Sequence, residues 1–182
     1  MVQHLKAALR SQMLAKRDAL SRGEVETLSG AIAERLFASQ RFKEAKIVAF
    51  YLPKGNEVDT AKMIEQTIAL GKEVLVPVTD HQITFFRFSS FQDLVPGKFN
   101  ILEPKARNTP SKEADVVVIP GVSFGLCMHR LGYGKGYYDR YLANSPAYRI
   151  GICYDFQVVE KLPTNENDER MDEIITEKRI II

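Results

Sequence analysis

Two continuous apolar runs constrain the fold more than anything else in this 182-residue chain: Ile47 to Leu52, and Val116 to Ile119 between Asp115 and Pro120. Neither alternates polar with apolar residues, so each suits a strand whose two faces are both buried, the situation of a parallel sheet between covering layers. Between them, Asp59 or Thr60 can cap a helix that runs to Ala69 and closes at Gly71, and Glu73 to Val78 supplies another apolar run. Strand, helix and strand with a crossover of this length predict a parallel pair, with the right-handed connection expected of such units. Tyr148 to Cys153 and Ile174 to Ile182 add two further candidate strands, while Ile83 to Phe88 alternates less cleanly and suits an edge or hairpin strand. The expectation is an α/β protein of three layers, α/β/α, with a mainly parallel sheet, folded as a single domain over residues 1–182.

Ahead of the first strand lie two helical segments. Residues 2–19 place Leu5, Leu9, Met13 and Leu20 near helical spacing. Lys6, Arg10 and Arg17 line up on another face, and from periodicity alone that face reads as solvated. Ser21 and Glu24 form a capping-box pattern that starts a second helix, in which Val25, Leu28, Ile32 and Leu36 share one side. Residues 89–113, with Pro96, Gly97, Pro104 and Pro110, read as a long irregular connection over the surface.

The chemistry concentrates in Arg130-Leu131-Gly132-Tyr133-Gly134-Lys135-Gly136-Tyr137-Tyr138-Asp139. Three of the chain's eleven glycines fall within five residues here, and glycines that dense let backbone N–H groups converge on a small anion. Arg130 and Lys135 add cations, and Asp139 a carboxylate, which suits phosphate plus metal. The segment is no P-loop: the residue five before Gly134 is His129, and Lys135 is followed by Gly136 rather than Ser or Thr. Nor is it the dinucleotide fingerprint, because its third glycine arrives one residue early. Tyr137 to Leu142 follows as a helix, so Gly136 would present amide dipoles to a phosphate. A connecting loop that binds nothing remains the plain alternative. Ligands of such sheets gather beyond the carboxyl ends of strands, where loops 53–59, 120–136 and 153–170 all fall.

Other candidates are weaker taken singly. Asp139 is equally well explained as a first-turn acid on the helix dipole. Asp168, in a polar loop, is a second possible hard ligand, and Glu57 reads as a surface acid. Tyr137, Tyr138 and Tyr141 are spaced as a core or wall. His4, His81 and His129 form no ligand cluster, and Cys127 and Cys153 lack zinc spacing and are expected reduced. A net charge of +2 offers no footprint for nucleic acid or a membrane surface, and no apolar run approaches the roughly 20 residues that span a bilayer. The acid-free, basic first seventeen residues faintly imitate a transit peptide, but their few serines and regular helical pattern keep them in the mature protein.

Taken in order, Lys6-x-x-x-Arg10, Tyr51-Leu52-Pro53 with Glu57-Val58-Asp59-Thr60, Pro120-Gly121-Val122-Ser123-Phe124, the Arg130 to Asp139 segment and Asn165-Glu166-Asn167-Asp168 resemble the 5-formyltetrahydrofolate cyclo-ligase (5,10-methenyltetrahydrofolate synthetase) family over essentially the whole chain. That resemblance implies a fold similar to ribose-phosphate isomerases and coenzyme A transferases. It also implies an ATP- and Mg²⁺-dependent closure of 5-formyltetrahydrofolate to 5,10-methenyltetrahydrofolate with release of ADP and phosphate, through a phosphorylated formyl (iminium phosphate) intermediate. By the same implication Lys6, Arg10 and Arg130, Leu131, Gly132, Tyr133, Gly134, Lys135, Gly136, Tyr137 and Tyr138 would bind ATP. Arg10, Leu52, Glu57, Gly134 and Tyr137 would meet the folate, Asp139 and Asp168 would hold Mg²⁺, and Arg130 and Lys135 would be catalytic. The expected partners are these small molecules, with no nucleic acid and no membrane, in a cytoplasmic monomer. A non-catalytic formylfolate-binding protein, or another enzyme of the same fold, are the competing readings.

The chain departs from the family pattern in two places. Members usually carry an aspartate after the phenylalanine and a glycine two residues before the arginine, where this chain has Gly125 and Met128. A glycine there would supply a positive φ, and Gly125 is expected to take over that role. Asn167 stands where many bacterial members carry histidine.

Overall fold

The computed structural model describes residues 2–97, 102–105 and 113–182. Seven strands form one sheet, in the order β12-β11-β9-β6-β1-β2-β3. Its centre is β1 (Ile47–Ala49), β2 (Glu73–Thr79), β6 (Val116–Ile119), β9 (Tyr148–Ile152) and β11 (Glu173–Ile175), all parallel to one another. The antiparallel strands β3 (Ile83–Phe88) and β12 (Ile180–Ile181) close the two edges. The mainly parallel α/β expectation therefore holds.

Why the central runs are uniformly apolar is visible in where their side chains go. Val48, Val74, Val76, Val116, Val118 and Ile150 pack on one face with Ile32, Leu36, Phe42, Met63 and Ile64 from α2 (Arg22–Ala38), α3 (Gln40–Glu44) and α4 (Ala61–Ala69). Their neighbours Ala49, Leu75, Val117 and Ile119 face the other way, onto Phe124, Met128 and Leu142. That second face is covered by the short helix α5 (Tyr137–Leu142) and by a small sheet of β7 (Ser123–Gly125), β8 (Arg130–Leu131) and β10 (Val158–Val159). The third layer is thus less helical than expected.

The small sheet was not legible as strands, and it is what carries Arg130. β7 and β8 pair antiparallel and β10 pairs parallel to β7. Gln157 Nε2 ties the unit down by donating to the carbonyls of Gly121 (3.1 Å) and Val122 (2.9 Å), and Ser123 Oγ donates to Gln157 O at 2.7 Å. The Phe124 ring lies so close to Gly151 of β9 that a Cβ there would collide with it, so glycine is required for the small sheet to seat on the large one.

Several boundaries shift. α1 (Val2–Asp18) and the reciprocal Ser21–Glu24 capping box at α2 stand as predicted. Thr60 occupies the N-cap of α4 but makes no side-chain cap; Asp59 Oδ1 accepts the Ala61 N–H instead, at 2.9 Å. The terminal run is not one strand but β11 and β12 joined by a turn in which Thr176 N–H donates to Arg179 O. Part of 89–113 forms an antiparallel ribbon, β4 (Leu94–Pro96) with β5 (Leu102–Pro104), rather than irregular chain. Residues 98–101 and 106–112 of that connection lie outside the described residues.

The expectation for Gly125 fails. Gly125 is an ordinary strand residue of β7, and Met128 itself takes the left-handed conformation, φ 67. Its side chain is buried in the second core, where a glycine would leave a void.

Candidate active site

A cleft of ≈ 770 Å³ opens over the carboxyl ends of β1, β2 and β6, a size usual for small-molecule sites. Every residue to which the resemblance gives a site role lines it: Lys6 and Arg10 from α1, Leu52 and Glu57 from the loop after β1, the whole run Arg130 to Asp139, and Asp168 from the loop between β10 and β11.

Helix α1 is held over this cleft by charge. Its buried residues are Lys6, Met13 and Arg17, whereas Leu5 is half exposed. The solvated-face reading of Lys6 and Arg17 is therefore overturned. Lys6 Nζ pairs with Asp168 Oδ2, Arg10 Nε donates to Gly132 O at 2.9 Å, and Arg17 Nη2 donates to the Tyr133 hydroxyl at 2.6 Å. Asn56 Nδ2 satisfies the end of α1 by donating to the carbonyls of Arg17, Asp18 and Leu20.

Glu57 is likewise buried rather than on the surface. Its Oε2 accepts the Lys54 N–H at 2.9 Å and its Oε1 the Tyr133 O–H at 2.7 Å. Burial, with the charge of Glu57 beside it, pushes the Tyr133 phenol up to about 12, against the pull of Arg17. Burial alone would lower the Arg17 pKa; Tyr133 and Glu57 turn the net shift upward.

Arg130 leaves β8 only 5% exposed. Its Nη2 donates to Asp139 Oδ1 at 3.0 Å, its guanidinium stacks 5.3 Å from the Tyr138 ring centroid, and its Nε is buried without a partner among the described residues. Burial pulls its pKa down; Asp139, Tyr138 and Asp168 oppose that pull. Gly134 (φ 96) and Gly136 (φ 64) adopt backbone that other residues take only at a cost, which gives the loop between Arg130 and α5 its tight path. Arg140, missed in the sequence, lines the same cleft: it donates to Lys135 O at 3.0 Å and lies 5.2 Å from the Tyr137 ring centroid.

Asp139 and Asp168 both line the cleft and both act on Arg130. Among the described residues no three His, Cys, Asp or Glu side chains gather into a metal site. Two carboxylates fit Mg²⁺ carried in on phosphate oxygens, since that ion keeps waters and needs only one or two protein carboxylates.

Buried cations, a glycine loop and two carboxylates over the carboxyl edge of a mainly parallel sheet make an α/β cleft whose charges suit an anionic small molecule. Comparison with known proteins makes the class specific. The sequence model of the 5-formyltetrahydrofolate cyclo-ligase family matches residues 2–177, and the chain belongs to that family. It is 32% identical over 175 residues to the 5-formyltetrahydrofolate cyclo-ligase of Escherichia coli K12, covering 91% of this chain and 96% of that one. Among solved structures, the 5,10-methenyltetrahydrofolate synthetase of Aquifex aeolicus superposes with TM-score 0.87 at 37% identity, covering 97% of this chain and 91% of that one. The synthetase of Mycoplasma pneumoniae gives TM-score 0.76 at 31% identity, covering 94% and 98%.

Proposed function

We propose that this cleft closes 5-formyltetrahydrofolate to 5,10-methenyltetrahydrofolate at the expense of ATP, releasing ADP and phosphate. The observation that carries the reading is the convergence of Lys6, Arg10, Arg130 and Lys135 with Glu57, Asp139 and Asp168 in one cleft, in a chain of this family.

The chemistry explains why cations dominate and no nucleophilic triad is present. A formamide is a poor electrophile, so its oxygen must first become a leaving group. The formyl oxygen attacks the γ-phosphorus of ATP and ADP departs. The neighbouring folate nitrogen then attacks the activated carbon and loses its proton, and phosphate leaves with the original formyl oxygen. The protein's task is positioning and charge neutralisation. Arg130 and Lys135 would stabilise the transferring phosphoryl group. Lys6, Arg10 and the segment from Leu131 to Tyr138, with its glycine N–H groups, would hold the nucleotide. Leu52 and Glu57, with Arg10, Gly134 and Tyr137, would hold the folate. Asp139 and Asp168 would hold Mg²⁺, whose charge offsets that of the phosphate oxygens.

The same reading makes the protein a single domain of the ribose-phosphate isomerase and coenzyme A transferase type. It would act as a monomer, because one chain supplies all the residues named. It would be cytoplasmic, which suits two cysteines that are both unpaired; among the described residues no helix is long and apolar enough to cross a membrane. The test is to mix protein, 5-formyltetrahydrofolate, ATP and Mg²⁺ and follow methenyltetrahydrofolate absorbance and ADP. Product and ADP should form together. Absence of product with no folate-dependent ADP release would end the proposal.

A further inference from the structure

Arg17 is a buried cation that the reaction as described leaves unused. It lies in the last turn of α1 and is 4% exposed. Chemistry fixes the direction of its hydrogen bonds. A guanidinium only donates, so the Tyr133 oxygen accepts from Arg17 Nη2, and the phenol's single proton is left for Glu57 Oε1. Arg17 Nη1 stands 3.6 Å from the same carboxylate oxygen, in charge contact but not hydrogen-bonded. The other carboxylate oxygen is held by the Lys54 N–H, so the plane of Glu57 is set from two sides.

Two features separate this arrangement from a pair that serves stability. Arg17 Nε and Nη1 are both buried without a hydrogen-bond partner among the described residues. Buried donors left unmade cost stability, and replacing buried charged groups by apolar ones of similar volume is often neutral or stabilising. Tyr133, moreover, belongs to the glycine loop. It sits between Gly132, whose carbonyl accepts from Arg10, and Gly134, whose φ of 96 fixes the local path. The loop assigned to phosphate and the carboxylate assigned to folate therefore meet at one hydroxyl, and Arg17 orients it.

We infer that Arg17 is a positioning residue that couples the glycine loop to Glu57, so that ordering of the loop by ATP is passed through the Tyr133 hydroxyl to the carboxylate that meets the folate. The inference rests on the ATP and folate assignments above. Coupling of this kind is reciprocal: each ligand tightens the other by the same factor.

The experiment measures 5-formyltetrahydrofolate binding by calorimetry, with and without Mg²⁺ and a non-hydrolysable ATP analogue. It uses the unaltered protein, Arg17→Met, Arg17→Lys, Tyr133→Phe and the Arg17→Met/Tyr133→Phe double variant. The analogue should tighten folate binding about fivefold or more in the unaltered protein, and by less than about twofold in Arg17→Met and in Tyr133→Phe, with no further loss in the double variant. Arg17→Lys, which can still donate to the hydroxyl, should recover part of the effect. Tyr133→Phe removes a single oxygen from a side chain that is 49% exposed, so it keeps the test usable should Arg17→Met unfold. Full coupling in a folded Arg17→Met or Tyr133→Phe variant overturns the inference alone, as does an unaltered protein that binds both ligands independently. An unaltered protein that binds no formylfolate overturns this inference and the proposed function together.

Discussion

Lys6, in the second turn of the first helix, forms an ion pair with Asp168, 162 residues further along the chain. Both side chains are largely buried, 8% and 15% exposed. The pair closes one side of the cleft, and the second such pair, Arg130 with Asp139, lies on the same lining. Each proposed metal carboxylate thus stands beside a proposed phosphate cation. On the proposed function, phosphate and Mg²⁺ would give both kinds of group a counter-charge, so the site need not leave any of the four buried and unpaired.

Lys6→Ala should therefore damage ATP use more than folate use. We expect kcat/KM for ATP to fall about 100-fold, the scale of losing one cation from a phosphoryl site. Steady-state kinetics with each substrate varied in turn checks this. Equal losses for both substrates would argue that Lys6 only fastens α1.

Arg130→Ala should lower kcat by about 10²–10³-fold while the fold survives, since Asp139 is 20% exposed and can be solvated once unpaired. Turnover and circular dichroism on the same sample decide it. Near-normal turnover in a folded variant would remove Arg130 from the transferring phosphate.

Asp139→Asn keeps the shape and a carbonyl acceptor for Arg130 and the Glu169 N–H but loses the charge. The Mg²⁺ concentration for half-maximal turnover should rise by about tenfold. An unchanged metal titration would move the ion elsewhere.

Met128 offers a test in which two effects oppose each other. Replacing it with glycine relieves a left-handed residue, worth about 1–2 kcal/mol, but adds about 0.5–1 kcal/mol of unfolded-chain entropy. It also deletes a buried side chain worth about 1.5–3 kcal/mol. Burial wins, so Met128→Gly should lower Tm by roughly 2–6 °C. A rise in Tm would mean that backbone strain dominates.

Glu173 supplies a pH test away from the site. Burial raises its carboxyl pKa, and the hydroxyl of Ser39, donating to Oε2 at 3.1 Å, only partly offsets this. The unfolded chain gives up this proton near its ordinary value of 4.5, before the folded protein does. Stability linked to Glu173 is then complete below about 4.5 and is lost as pH rises through the folded value. Glu173→Gln should raise Tm at pH 7 and make no difference near pH 4. A variant less stable at pH 7 would contradict this.

The sequence exposed the parallel sheet because Ile47 to Leu52 and Val116 to Ile119 are apolar on both faces, a pattern that leaves few alternatives. It exposed the cleft residues chiefly through the ordered resemblance, since singly Glu57 reads as a surface acid and Asp168 as one polar residue of a polar loop. What stayed hidden was long-range. Arg17 and Lys6 sit on a helix whose spacing suggests a solvated basic face, and nothing local says that Tyr133, Glu57 and Asp168 come to meet them. The two- and three-residue strands around Arg130 carry too little periodicity to stand out. The positive φ required near Met128 was readable, but which residue adopts it depended on the core that Met128 fills.

The central claim is that ATP phosphorylates the formyl oxygen itself. The most direct measurement uses 5-formyltetrahydrofolate labelled with ¹⁸O in the formyl group, with ATP and Mg²⁺, and analyses the released phosphate by mass. The account predicts one labelled oxygen per phosphate formed, with ADP and methenyltetrahydrofolate in equal amounts. Phosphate free of label alongside normal product would contradict it.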